Sequence, residues 1–353
     1  MAREIRFAEA VREATDQCLT EDPSVYLMGL GVPDPKGVFG TTLGLQKKHG
    51  PRRVMDMPTS ENAMTGVAVG SAIAGMRPIM VHQRIDFFLL AFDQIINHAS
   101  KWSYMSAGKN RIPMVVRLII GRGWGQGPQH SQSLESVFAH FPGLKVIMPA
   151  TPADAKGLLI SAVRDDNPVI FLEHRWLHGV FGPVPEEPCA VPIGKARIVR
   201  EGRDLSLVSA GYMTLESLQA AKLLEEDGIS AEVVDLRTLR PLDTNAILGS
   251  AEKTGRLIVV DNGWRSFGLG AEIVALAAEK LFDALKAAPV RVSPPDVPIP
   301  STWGLSNHYY PTAAHIADAA LSMMGRKPRH QAARRADLDK PQDTPNKAFT
   351  GPF

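Results

Sequence analysis

The chain holds only two cysteines in 353 residues, Cys18 and Cys189, and they lie at no metal-ligating spacing. A disulfide scaffold is excluded at that cysteine count, and a reducing compartment argues against pairing the two. Cys18 continues an apolar helical stripe and reads as core. No apolar run approaches the ~20 residues that a membrane helix needs. The opening residues Met1-Ala2-Arg3-Glu4-Ile5-Arg6 are charged and lack the apolar segment of a secretory signal, so a cytoplasmic location is expected. Charge is nearly balanced at +2, which gives no global drive toward nucleic acid or a membrane surface. Only the end is locally basic, at Lys327, Arg329, Arg334 and Arg335, and it reads as a solvated tail.

What the chain does have is enough apolar sequence for two domains. Phe7, Val11, Ala14 and Cys18 recur at steps of three and four and predict an opening helix. Short apolar runs at 25–28, 54–55, 77–81, 113–120, 145–148 and 169–172 predict strands. Helices are expected between them at 60–75, 88–104 and 152–163. Strands alternating with helices indicate an α/β domain with a mostly parallel sheet. Ser60 is placed to cap its helix. The small residues of 66–75 weaken a lone helix and imply close approach to a neighbour. Pro183, Pro185, Pro188 and Pro192 crowd a seam at 182–194. Beyond it the pattern restarts, with strands at 205–209, 231–235 and 256–261 and helices at 214–227 and 268–281. From Lys327 the chain turns polar, and an extended or loosely held tail is expected.

Three places have the residue types for chemistry. Glu61 opens the small-residue helix, where a carboxylate either complements the helix dipole or exchanges a proton with a ligand heterocycle. Gly121-Arg122-Gly123-Trp124-Gly125-Gln126-Gly127-Pro128-Gln129-His130 follows a buried strand. Its spacing fits neither a dinucleotide fingerprint nor a P-loop, so a glycine loop presenting His130 to a cleft is the better reading. His130 is then either a loop hydrogen-bonder or a catalyst. His174 and His178, four apart beside Glu173, would pair on a metal if helical, but no third ligand is evident.

Around these residues the sequence resembles a known family. Asp56-Met57-Pro58-Thr59-Ser60-Glu61, Gly66-Val67-Ala68-Val69-Gly70, Asp93-Gln94-Ile95-Ile96-Asn97 and Gln129-His130-Ser131-Gln132-Ser133-Leu134-Glu135 are similar to the pyrimidine-binding domain of 2-oxoacid dehydrogenase beta subunits, within the transketolase-like thiamine diphosphate enzymes. Pro142-Gly143-Leu144-Lys145-Val146 and Asp154-Ala155-Lys156-Gly157 continue the match. Arg237-Thr238-Leu239-Arg240-Pro241 and Gly268-Leu269-Gly270-Ala271-Glu272 resemble the transketolase C-terminal domain.

The resemblance implies a pyrimidine-binding domain at 1–185, a parallel sheet with helices on both faces. A transketolase C-terminal-type α/β domain follows at 186–325, and a polar tail at 326–353. It implies that Glu61 hydrogen-bonds the thiamine aminopyrimidine, that Phe87 stacks on it, and that His130 serves the reacting carbon and its acceptor. It also implies a potassium site from Met114, Ala162, Val163, Asp165 and Asn167, mostly backbone carbonyls plus the Asp165 carboxylate.

The family's Gly-Asp-Gly magnesium–diphosphate motif is absent from this sequence. The expectation is therefore a beta subunit of a thiamine diphosphate-dependent 2-oxoacid dehydrogenase of pyruvate or acetoin type, passing its acyl group to lipoamide. It would act only with an alpha subunit that holds Mg²⁺ and the diphosphate, as an α2β2 heterotetramer. A dihydrolipoyl acyltransferase core is a further expected partner. Two departures from the family are Leu30 in place of an acidic residue and His82 with Arg84 near the stacking aromatic; these either add polar groups to the acceptor channel or stand behind the residues that line it. They keep open a carboligase that transfers a two-carbon unit to another carbonyl, such as a sugar. A silent assembly subunit is the third reading, and the intact Glu61, Phe87 and His130 weigh against it.

Overall fold

Two sheets carry the chain, and the computed structural model describes residues 3–122 and 126–331 of it. Three residues of the glycine-rich segment (123–125) and the tail beyond 331 lie outside the described residues. In the first part the strands are β1 (Arg3–Arg6), β2 (Val25–Gly29), β3 (Val54–Met55), β4 (Arg77–His82), β5 (Val115–Ile120), β6 (Lys145–Ile147), β7 (Val169–His174) and β8 (Phe181–Val184). In the second they are β9 (Arg197–Arg200), β10 (Leu205–Ser209), β11 (Ala231–Asp235), β12 (Thr238–Arg240), β13 (Leu257–Val260) and β14 (Val290–Val292).

The large sheet runs β12-β6-β7-β5-β4-β2-β3, and all its pairings except β12 with β6 are parallel. The second sheet runs β14-β13-β10-β11-β9, parallel but for the edge strand β9. β1 and β8 form a separate antiparallel pair. The expected α/β architecture with mostly parallel sheets is thus what the chain adopts.

Strand residues alternate between two apolar layers because successive side chains leave a strand on opposite faces. Ile79, Val81, Val115 and Ile119 enter one layer. Met80, Val116, Leu118 and Ile120 enter the other. The helices Phe7–Glu21 and Pro152–Arg164 pack together over the first layer, and Glu61–Ile73 lies against β4. Both layers continue through the second sheet, with Leu207 and Ile258 in one and Val208 and Val259 in the other. Cys18 is buried, as its stripe predicts, and burial pushes its thiol up to about 12.

Several elements differ from the sequence reading. The single helix expected at 88–104 is a series: a short helix Ile85–Phe88, a 3₁₀ turn Leu89–Ala91, a π-helical stretch Gln94–Ala99 and a helix Ser100–Met105. The wider π winding lets the adjacent Ile95 and Ile96 both face the core. Ser60 holds the cap position without a side-chain cap bond. The proline seam is strapped to helix Pro152–Arg164. Buried Lys156 Nζ donates to the carbonyls of Pro185 and Glu186, and Ser161 Oγ donates to Val191 O. Residues at the start of the expected loose tail are also anchored. Asp318 accepts from the backbone N–H groups of Arg329, His330 and Gln331, and Asp227 pairs with His330.

Candidate active site

Parallel strands end together, so whatever follows their carboxyl ends is gathered along one edge of the sheet. Glu61 follows β3, Phe87 follows β4 and His130 follows β5. Glu61 is the first residue of helix Glu61–Ile73, at the positive end of its dipole, and its carboxylate bonds to no other described side chain. The helix packs on β4 and on the 89–91 turn, which brings its N-terminus toward Phe87. Phe87 keeps 42% of its surface exposed, a large fraction for an aromatic ring. The His130 ring stands edge-on to it, with centroids 5.0 Å apart and planes at 79°. The three residues singled out from sequence therefore share one edge, and two of them touch.

Behind that edge the polar residues are buried. Arg117 and Glu173, both fully buried, form a two-pronged ion pair at 2.6 and 3.0 Å. Burial alone would raise the Glu173 carboxyl, but Arg117 and His178 outweigh it and hold it at about 2. His178 is spent on Glu173 at 3.2 Å, and His174 stacks on Tyr212 at 4.9 Å while its Nδ1 accepts from Trp176 N. The imagined His174–His178 metal pair is therefore corrected: a 3₁₀ turn, not a continuous helix, separates the two. No group of three candidate ligands exists among the described residues. His174 also explains Gly121, whose φ is +78°. A side chain there would place its first carbon 2.2 Å from His174 Nε2.

His82 and Arg84 do not line an open channel, which decides between the two readings that the sequence left open. His82 is buried against Phe88, with centroids 4.6 Å apart, and burial drives its pKa down to about 3. Arg84 is buried as well, its guanidinium directed to Gly121 O and the Gln126 side chain. Leu30 is half-buried and packs on the core, while its carbonyl accepts from Gln83 Nε2. Sequence reasoning missed a further contact. Arg122 lies over the Trp176 ring at 3.5 Å and over the Tyr310 ring at 4.0 Å. Tyr310 arrives from the far end of the chain, so no local signal announces it.

Of the five residues expected to hold potassium, Ala162 and Val163 end helix Pro152–Arg164, Asp165 and Asn167 lie in the turn before β7, and Met114 precedes β5 and bonds the start of β7. Several of their oxygens already have partners. Arg77 Nη1 donates to Val163 O (3.0 Å) and Asp165 O (3.1 Å). Met114 O accepts from Val169 N, and Ala162 O from Asp165 N. Burial would raise the Asp165 carboxyl, but Lys145 and Asn167 hold it below its ordinary value.

With this geometry in place, known proteins are informative. The family model "Transketolase, pyrimidine binding domain" matches residues 3–179, and "Transketolase, C-terminal domain" matches 194–316. A beta subunit of acetoin:2,6-dichlorophenolindophenol oxidoreductase from Cupriavidus necator is 47% identical over 92% of this chain and 98% of its own length. A pyruvate dehydrogenase E1 component beta subunit from Rickettsia felis is 40% identical over 90% and 97%. A solved structure described as a split gene transketolase, inactive beta4 tetramer, superposes with a TM-score of 0.74 at 25% identity, covering 92% of this chain and 99% of that one. These matches define the class: the chain belongs to the transketolase-type thiamine diphosphate family. Within the family it falls among the beta subunits of pyruvate dehydrogenase E1 and acetoin-oxidising enzymes.

Proposed function

We propose that this chain is the pyrimidine-binding beta subunit of a thiamine diphosphate-dependent 2-oxoacid dehydrogenase of pyruvate or acetoin type, which hands its acyl group to lipoamide. The observation that carries this is the shared edge of Glu61, Phe87 and His130, where the Glu61 carboxylate has no partner among the described residues and Phe87, met edge-on by His130, still keeps 42% of its surface exposed. The donor set fits the cofactor's heterocycle. A carboxylate at a helix N-terminus suits a ring nitrogen, and an exposed aromatic face suits a flat ring. When bound, thiamine diphosphate supplies the electron sink for decarboxylation. Glu61 would hold the pyrimidine by a hydrogen bond and move its proton, Phe87 would orient the ring, and His130 would exchange a proton with the acyl acceptor.

The diphosphate half is proposed to come from an alpha subunit carrying Mg²⁺, in an α2β2 assembly. Helix Glu61–Ile73 supports a covering partner, because Ala63, Val67, Gly70, Ile73 and Ala74 leave an apolar, small-residue face exposed in this chain. That is where the close approach implied by the glycines would be made. The seat of a dihydrolipoyl acyltransferase core and a cytoplasmic location are part of the same proposal. No helix of the described residues is long and apolar enough to cross a membrane. If potassium binds at the 162–167 turn, backbone carbonyls would carry it, since the Asp165 carboxylate is already neutralised by Lys145.

The test is reconstitution. The lone chain with thiamine diphosphate and Mg²⁺ should turn over neither pyruvate nor acetoin, and adding the alpha subunit should restore turnover of one of them. Turnover by the lone chain would sink the heteromer. Melting of the complex in potassium against tetramethylammonium salt tests the cation, because a ligand of the folded state raises the midpoint.

A further inference from the structure

Two charged residues, Arg84 and Asp86, immediately precede Phe87, and both are more than nine-tenths buried. Burying a guanidinium or a carboxylate costs several kcal/mol unless its hydrogen bonds are satisfied, so what they bond to is informative. The segment that carries His130 leaves β5 at Gly121, and Gly121 N donates to Gln132 O (3.1 Å) to close a neck. Arg84 Nη1 donates to Gly121 O (3.0 Å) on one side of that neck, and its other Nη donates to the side-chain oxygen of Gln126. Asp86 Oδ1 accepts from Gln132 N (3.2 Å) and from Gln132 Nε2 (2.8 Å) on the other side. One short stretch after β4 therefore grips both ends of the neck and presents Phe87 to the His130 ring.

We infer that Arg84 and Asp86 are positioning residues that fix the His130 segment against Phe87 and so set where His130 meets the acyl acceptor. The inference rests on the role proposed above for His130. Neither residue needs to touch a substrate. The charged groups nearest the pair are each other, Arg122 with its stacked Tyr310, and Arg175 beyond His174. Among the described residues no ion pair joins Arg84 to Asp86, so each charge is committed to the neck.

The experiment uses the complex with its alpha subunit and two assays. One couples decarboxylation to an artificial electron-accepting dye, and the other follows acyl transfer to lipoamide. Asp86→Ala and Arg84→Met should lower transfer by about tenfold or more, since misplacement by about 1 Å costs up to ~100-fold. Dye reduction should stay within about threefold of wild type. Asp86→Asn, whose amide oxygen still accepts from Gln132, should recover most of the transfer rate. Equal losses in both assays with a lowered melting point would mean a purely structural role and overturn the inference, as would unchanged transfer in Asp86→Ala. A His130→Ala complex with undiminished transfer overturns the reading of the site itself. A normal dependence on His130 with neutral Arg84 and Asp86 variants overturns the positioning role alone.

Discussion

The two sheets share one architecture and use the same edge in opposite ways. At the carboxyl edge of the first, Glu61, Phe87 and His130 stand partly exposed, and Glu61 has no side-chain partner among the described residues. At the carboxyl edge of the second, Asp235 and Asp261 are buried, and only Asp296, after β14, is exposed among the acids that follow its parallel strands in the described residues. Asp235, at the end of β11, bonds Thr214 and the backbone of Arg237, whose guanidinium reaches Asp154 of helix Pro152–Arg164. Asp261, after β13, accepts from Gly263 N and Gly270 N and faces the carboxyl of Glu135, five residues beyond His130. Burial and Asp261 push the Glu135 carboxyl well above its ordinary range, and burial raises the Asp261 carboxyl too. A parallel sheet concentrates polar groups at its carboxyl edge. Whether they become a site or an interface depends on what covers them.

That contrast can be broken by mutation. Glu61→Ala should cut activity of the reconstituted complex by about 10²–10⁴-fold, the usual worth of a positioned acid–base group, with little change in melting temperature. A similar loss of stability would mean that Glu61 is a structural acid like those of the second edge. Asp261→Ala should do the reverse. It strips two backbone donors of their acceptor at the start of helix Leu269–Leu281 and should cost about 1–3 kcal/mol in denaturant unfolding. A variant of unaltered stability would dissolve the comparison.

Smaller effects follow from buried titrating groups. His82 sits near 3 when folded against an ordinary 6.5, so the unfolded chain binds its proton first as pH falls. Its contribution is whole above 6.5 and is lost between 6.5 and 3. His82→Phe should flatten that acid limb of a melting series and leave the acceptor KM unchanged; a shifted KM would return His82 to the channel. Asp235 has the opposite sign. Burial and Asp154 raise it from 3.8 to about 7, so its stabilising share is present below 3.8 and is lost as pH rises through 7. Asp235→Asn should melt a few degrees above wild type at pH 8.5, on the scale of about 2–4 °C per kcal/mol for larger domains, and close to it near pH 4. Equal midpoints at both pH values would show Asp235 ionised throughout.

Much of this was legible in the sequence, for physical reasons. Long apolar strands such as β5 and β7 and stripes such as Phe7, Val11, Ala14 and Cys18 announce themselves by period, and both layers of the core follow. Glu61 and His130 stood out because each follows a strand within a long motif, whereas Phe87 came from the family resemblance alone. The short strands β1, β8, β9, β12 and β14 carry charged, polar or turn-type residues and show no apolar run, whereas the equally short β6 and β13 are largely apolar and do. His82 and Arg84 were candidates for the channel because they depart from the family's usual residues beside the stacking aromatic. Burial against Phe88 and the bonds to Gly121 depend on chain arriving from elsewhere. The Tyr310 contact with Arg122 is the extreme case.

The strand β12 has a consequence for how the chain is made. It belongs by sequence to the second half, yet it completes the first sheet by pairing with β6. During synthesis β6 leaves the ribosome about ninety residues earlier, several seconds ahead at about 5–20 residues per second. For that interval the nascent first half carries an open, adhesive strand edge. A transcript cut at the proline seam would never close it, so its product would be prone to stick to its own copies rather than behave as a free-standing module.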